Sequence, residues 1–499
     1  MHRQGIGTWL AKRRLRSPEK VALIHAGESA MTYRQLADGA DRMTSILAGR
    51  DVRSGDAVAY LGENSPEFLQ VMFGAARLGA VFVPVNTRLA PPEIAHVLAD
   101  SNARLLIHDP TFAEQVTAAR TPQAIVTGAG TAGVPGLDRL AGTATAEQLD
   151  VEIGLQHPAA IIYTSGTTGR AKGAVLTHEN LTWVALNCIV DYDIVSTDVA
   201  LMISPLFHVA SLGMGALPAI LKGATLVLEK GFEPGRALAQ IQRHGVTMLS
   251  GVPTTYQLMA DHPAWASTDL STLNKLTCGG SAVPVHVLNA YEERGLSFSQ
   301  GYGMTETSPG ATSLPPAMTR IKQGSVGLPH FFTDVRVTDP DGAEVGPGVV
   351  GEIEISGPNV FRGYHGLPAA TAGDGWFRSG DLGYLDADGY LYISGRLKDM
   401  IISGGENIYP AEIELLLSEI DAVTGVAVIG VPDERWGEVP WAIITVREGA
   451  SVDTESVRAH LDGRLARYKL PRKVVIVDEL PRTASGKVRK ADLRGHFGG

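Results

Sequence analysis

The sequence predicts an α/β protein. A large N-terminal domain of doubly wound α/β layers carries a β-rich subdomain and is followed by a small α+β C-terminal domain. Two observations predict this. Apolar strand-like runs alternate with amphipathic helical patterns through the first half, and the texture changes to short strands with glycine-rich ends near residue 335.

The elements follow in order. Thr32 opens a helix, with Gln35 three residues on completing a capping box. The run "DAVAYLG" (56–62) reads as a strand. Ser65-Pro66 then supplies an N-cap and a first-turn proline for the amphipathic "EFLQVMFGAARLG" (67–79). "AVFVPVN" (80–86), the helix "PPEIAHVLADS" (91–101) and the strand "RLLIHD" (104–109) continue the alternation. Beyond 335, "VGEIEISG" and "GYLYISG" read as antiparallel strands. A compact α+β pattern then runs from the helix "AEIELLLSEI" through the strands "VAVIGV" and "WAIITV" to "KVVIVDEL". Polar residues at 395–398 separate the textures, so the expected domains are 1–395 and 396–499.

Composition narrows the function. The formal charge of −10 argues against a nucleic-acid-coating protein, so an anionic ligand needs a local site. Cys188 and Cys278 lie far apart without CxxC or Cys/His spacing, which points to a reduced, cytoplasmic setting without structural zinc. No run reaches the roughly 20 apolar residues of a membrane span. The basic start, "MHRQGIGTWLAKRRLRSPEK", lacks a signal-peptide core. It admits two readings, a solvated first helix and a weak peripheral membrane contact.

"YTSGTTGRAKG" (163–173) follows the apolar "AAIIY". Such a loop turns backbone N–H groups toward an anion, and Thr164, Ser165, Thr167, Thr168 and Lys172 add hydroxyls and a charge. A surface turn would share its glycine and threonine content. It is not a Walker A loop, because Lys172 stands between Ala171 and Gly173. "GAGTAG" (128–133) matches GxGxxG literally, yet Val134-Pro135-Gly136 follows where a dinucleotide site requires a long helix. A loop is expected there. "QGYGMTET" (300–307) groups an aromatic ring, a hydroxyl and a carboxylate, "WFRSGDLG" places Asp381 in a turn, and "PRTASGKVRK" offers Lys487 in a Ser/Gly loop. Each of these alone also fits an ordinary turn.

Together, "YTSGTTGRAKG", "YGMTE", "SGD", "GRLKDMIISGGENIYPAEIE" and "PRTASGKVRK" stand in one order along the chain. In this the sequence resembles the adenylate-forming (AMP-binding) superfamily, most of all bacterial fatty acyl-CoA synthetases and feruloyl/coumaroyl-CoA ligases. The resemblance covers essentially the whole chain. It implies an acid–thiol ligase that uses ATP, Mg2+ and coenzyme A to form an acyl-AMP and then a thioester. A chain ending soon after Lys487 favours a free-standing ligase over a carrier-protein module.

The resemblance also implies roles. Thr164, Ser165, Gly166, Thr167, Thr168, Gly169 and Lys172 would cradle the ATP β- and γ-phosphates. Gly279, Gly280 and Ser281 would line the adenine site and Tyr302 would stack on the ring. Thr305 would touch the α-phosphate and Glu306 would bind Mg2+. Asp381 and Arg396 would hold the ribose hydroxyls. Lys487 would bridge the carboxylate and the α-phosphate, with the C-terminal domain mobile about a hinge at Lys398. Gly404, Gly405 and Glu406 would approach coenzyme A. His208, Ala210 and Gly303 would border the acyl pocket.

Coumarate ligases of the plant type tend to carry an aromatic residue where Ala210 stands. The alanine leaves room for a longer acyl tail, unless another side chain fills the space. A medium- or long-chain fatty acid is therefore favoured, with an aryl-CoA ligase as the alternative. A non-catalytic nucleotide-binding homologue would lack Lys487, Glu306 or Asp381, and all three are present. Monomer and homodimer both stay open.

Overall fold

The computed structural model describes residues 5–26, 28–119, 123–131, 133–141, 152–164, 171–280, 283–371, 373–403, 406–433, 435–450, 452–462, 464–465, 467–483 and 487–498. The capping signals are realised. Thr32 accepts from the Gln35 N–H while the Gln35 side chain accepts from the Thr32 N–H, opening the helix Tyr33–Ala48. Ser65 caps Pro66–Leu78, and Gly79 closes that helix in the left-handed conformation at φ 77°.

Two sheets form the layers. The first runs Lys172–Thr177, Pro158–Thr164, Val81–Pro84, Ala57–Leu61, Ala103–His108, Ala124–Val126, and is parallel apart from the hairpin of its first two strands. Ala57–Leu61 and Val81–Pro84 are buried throughout, because helices cover both faces of a parallel sheet. Phe68 stands edge-on to Tyr60 at 5.4 Å and to Phe82 at 5.1 Å, tying the helix to the sheet.

The second sheet has a parallel core of Val21–His25, Thr225–Leu228, Val199–Met202, Met248–Gly251, Lys275–Gly279 and Phe298–Tyr302. It continues without a break into antiparallel strands, from Thr312–Leu314 through Ser325–Pro329, Leu391–Arg396, Phe377–Leu385 and Gly351–Ser356 to Asp334–Thr338. The β-rich part thus extends the doubly wound sheet. The antiparallel extension starts at Thr312, before the change of texture at 335. A third sheet collects the strands from Ile401 onward: Glu406–Ile408, Ile401–Ser403, Gly437–Val446, Val423–Asp433 and Lys473–Ile476.

The decoy glycines form a small hairpin, in which Gly130 pairs with Pro135. The helix that follows, Leu137–Ala141, is five residues long. At the N-terminus, Trp9 and Leu10 bury one face of Trp9–Arg16. Arg14 reaches Asp38 at 2.8 Å and Asp41 at 2.9 Å, and Arg13 donates to the Leu221 carbonyl. Much of the basic run thus anchors the first helix to the fold. Among the described residues no helix is long and apolar enough to cross a membrane.

Candidate active site

The site is built at the end of strand Phe298–Tyr302. After Tyr302 the chain turns through Gly303 and the 3-10 turn Thr305–Thr307, then returns so that the Ala311 N–H meets the Tyr302 carbonyl at 2.9 Å. The turn admits only glycine at 303, where a Cβ would stand 1.4 Å from the Pro309 carbonyl oxygen. Gly303, expected at the acyl pocket, thus has a backbone reason of its own. Buried Asn359 braces the loop, its amide donating to the carbonyls of Thr307 at 3.0 Å and Gly310 at 2.7 Å.

Glu306 is buried and accepts from the Tyr364 hydroxyl at 2.5 Å. The Lys172 ammonium lies 5.5 Å from the Tyr364 ring centroid. Tyr364 therefore links the end of the phosphate-type loop to the Glu306 turn. The backbone repeats the link, since the His365 N–H donates to the Gly173 carbonyl at 2.7 Å and the Phe361 N–H to the Glu306 carbonyl at 2.8 Å. Thr164 pairs with Lys172, so the two strand ends that flank residues 165–170 are adjacent. His96 contacts the Ala171 carbonyl at 3.1 Å, and Tyr163 donates to Asp100 at 2.7 Å.

A second cluster surrounds Asp381, which is buried opposite Arg396 in the sheet register. Tyr302 donates to its Oδ2 at 2.7 Å, Arg396 Nε meets its Oδ1 at 2.9 Å, and its own N–H donates to Ser379 Oγ at 3.0 Å. Burial and then the Asp381 charge push the Tyr302 phenol well above its ordinary range, so it stays a donor.

Lys487 comes from the C-terminal end of the chain into this cluster. Its turn is closed by Thr483, whose N–H donates to the Lys487 carbonyl at 2.7 Å and whose Oγ1 accepts from the Lys487 N–H at 3.2 Å. Its Cε lies 3.9 Å from the place a Cβ would take on Gly280, whose φ of 86° suits glycine. The side chain keeps accessible surface, as in an open cleft, while protein packed about it lowers the ammonium pKa. Arg396 adds to that lowering, and Asp381 and Glu306 oppose it.

His208 precedes the π-helix Ala210–Ala216. Its Nε2 is buried without a partner among the described residues. Burial first, then Arg88 and Lys487, hold the ring pKa down to about 4, so it is neutral at pH 7. Ala210 is exposed, so the space beside it is open. Thr305 begins its turn half-buried, and Gly279 pairs with Gly301. Lys398 is exposed in the turn Leu397–Asp399, where Asp399 accepts from Arg494 at 2.5 Å.

Ser165, Gly166, Thr167, Thr168, Gly169, Ser281, Gly404 and Gly405 lie outside the described residues; the backbone of Glu406 opens the strand Glu406–Ile408. The structure thus gathers Glu306, Tyr302, Asp381, Arg396, Lys487 and His208, while Lys172 joins them through Tyr364. Sequence reasoning missed Tyr364 and Asn359. The aromatic in the glycine-flanked "FRGYHG" was the one local signal for Tyr364, and Asn359 had none.

A carboxylate turn, a buried aspartate held by a tyrosine and an arginine, and an incoming lysine thus converge at the end of strand Phe298–Tyr302. The chain belongs to the family of AMP-binding enzymes, whose model matches residues 10–365; the AMP-binding enzyme C-terminal domain matches residues 412–487. It is an acid–thiol ligase of the adenylate-forming, acyl-CoA synthetase type, a class that works with ATP, Mg2+ and coenzyme A.

Feruloyl-CoA synthase of an Amycolatopsis species is 48% identical, with 100% of each chain covered. Indoleacetate–CoA ligase of Aromatoleum aromaticum is 43% identical over 98% of this chain and 97% of that one. A long-chain-fatty-acid–CoA ligase of Mycobacterium tuberculosis is 38% identical over 99% of each. The solved structure of ATP-bound MatB from Rhodopseudomonas palustris, 33% identical, overlays 99% of both chains with a TM-score of 0.91. Apo MatB, with the same identity and coverage, gives 0.82.

Proposed function

We propose that this ligase activates an apolar carboxylic acid bearing an aromatic ring. The carboxylate oxygen attacks the ATP α-phosphorus and the bond to pyrophosphate breaks. The coenzyme A thiol, losing its proton, then displaces AMP from the acyl carbon. The observation that carries the adenylation step is the approach of Lys487 to Gly280 within the field of Glu306 and Asp381. Two anions meet in that step, so a compact positive charge at the reacting oxygens offsets their repulsion.

The other residues take the expected roles. Residues 164–172 hold the β- and γ-phosphates, Gly279, Gly280, Ser281 and Tyr302 frame adenine, Thr305 meets the α-phosphate, and Asp381 with Arg396 holds the ribose. Glu306 fits Mg2+, since this ion is commonly held by one or two carboxylates plus substrate phosphates. When bound, the ion would neutralise phosphate charge.

The chain divides near Lys398 into a body (1–395) and a C-terminal unit (396–499) that turns between half-reactions. The higher TM-score to ATP-bound than to apo MatB supports the reading that Lys487 is here in its adenylating position. Turning would bring 404–406 toward coenzyme A. The aryl reading rests on the 48% and 43% relatives, named for ferulate and indoleacetate. Ala210, with open space beside it, and the 38% relative favour a medium- or long-chain fatty acid as the second reading. AMP release across hexanoate to palmitate, coumarate, ferulate and indoleacetate tests both, and silence toward every acid overturns the proposal.

A further inference from the structure

A second histidine packs against Gly310 and Ala311, where the chain returns from the Glu306 turn. His330 is 1% exposed, and its Nδ1 is hydrogen-bonded to the Asp191 carboxylate. Its Nε2 is buried with no partner among the described residues. A carboxylate accepts only, so Nδ1 donates to Asp191, and in the neutral ring Nε2 presents a bare lone pair. Buried polar atoms are nearly always paired, and an orphan acceptor in a binding protein invites a donor from outside.

The surroundings point to the acyl site. The His330 N–H donates to the Ala311 carbonyl at 3.0 Å, and the Ala311 N–H to the Tyr302 carbonyl at 2.9 Å, so His330 sits two backbone steps across from Tyr302. A Cβ on Gly310 would stand 2.8 Å from His330 Nε2 and 3.6 Å from Met214 Cε. Met214 belongs to the π-helix that follows His208, and Gly213 in that helix packs so closely on the Ser308 carbonyl that a Cβ would lie 2.4 Å from it. Tyr192 closes the far side, its ring perpendicular to the imidazole at 6.1 Å.

The geometry points to His330, oriented by Asp191, as the acceptor for a hydroxyl at the end of the acid remote from its carboxylate, of which a para-phenolic group is the fitting chemistry. This rests on the proposed acyl-CoA ligase reading and narrows it to hydroxylated acids. His330 is a specificity residue in this account and takes no part in bond making.

The test uses the ligase and two pairs of acids of similar span differing in one terminal hydroxyl: 4-hydroxycinnamate with cinnamate, and 6-hydroxyhexanoate with hexanoate. In whichever series is turned over, the hydroxylated acid is expected to have a kcat/KM at least ~10-fold above its partner. In His330→Leu that preference collapses while the deoxy acid keeps its rate within about threefold; His330→Gln, which retains an acceptor, restores part of it. Asp191→Asn, which frees the tautomer, should erode the preference without removing the ring. Equal loss for both members of a pair, or no preference in the wild type, overturns the assignment while leaving the ligase reading intact. Turnover of neither series overturns the substrate reading and this one together.

Discussion

Tyr302 donates to the carboxylate of Asp381 across 2.7 Å, and the two residues stand 79 positions apart in the chain. The bond ties the last strand of the parallel core to the antiparallel extension of the same sheet. Arg396 takes the other carboxylate oxygen, so Asp381 is held by both neighbours. Each oxygen keeps a further lone pair for a ligand hydroxyl.

Tyr302→Phe removes one of those donors and leaves a buried carboxylate short of a partner. The KM for ATP is expected to rise about tenfold, equivalent to ~1.4 kcal/mol, with the KM for the acid little changed. Pyrophosphate release at varied ATP checks this.

Lys487→Ala should lower acyl-AMP formation about 100-fold or more while largely sparing thioester formation from supplied acyl-AMP. Equal loss of both half-reactions would sink the turning-domain account. Because burial and Arg396 lower the Lys487 pKa, its charge is lost before the ordinary lysine range is reached as pH rises. The adenylation rate should therefore fall on the alkaline side earlier than a free lysine would, and the thioester half-reaction should not share that limb.

Tyr364→Phe deletes the hydroxyl that meets Glu306 and keeps the ring beside Lys172. The Mg2+ concentration for half-maximal activity is expected to move several-fold, by about 3- to 10-fold, at unchanged thermal stability. A Mg2+ titration with a melting curve for each protein separates the two effects.

His178 is fully buried, its Nδ1 accepts from the Ile6 N–H at 3.2 Å, and burial lowers its pKa to about 4. Between that value and the unfolded histidine range near 6.5 the unfolded chain binds the extra proton, so folding weakens as pH falls through this window. The slope is roughly 1.4 kcal/mol per pH unit at most. His178→Asn should flatten the acid limb of a melting-temperature profile between pH 6.5 and 4.

Gly303→Ala places a methyl group where the Pro309 oxygen stands. Adenylation should be lost by about 100-fold or more, because the Thr305–Thr307 turn cannot keep its path; circular dichroism and the half-reaction assay check it.

Local chemistry made much of this protein legible from the chain alone. Thr32 with Gln35, and Ser65 with Pro66, announced helix starts that the structure realises, because caps act over three or four residues. The ordered motifs announced the family, since phosphate and carboxylate chemistry needs particular residue types in short runs. The failure of "GAGTAG" as a nucleotide turn was also readable, in the proline that follows it.

Tertiary structure decided what depends on distant partners. Tyr364 meets Glu306 across 58 residues, Asn359 braces a loop about 50 residues earlier, and Asp191 meets His330 across 139. Asn359, Asp191 and His330 belong to no run with a recognisable pattern, and Tyr364 only to a weak one. Proton affinity likewise waited on burial: His208 and His178 read alike in the sequence as titratable rings, and enclosure by distant segments lowers both pKa values to about 4. Chain-local signals specify where elements start and which chemistry they carry; which side chains meet is settled by the packing of strands far apart in sequence.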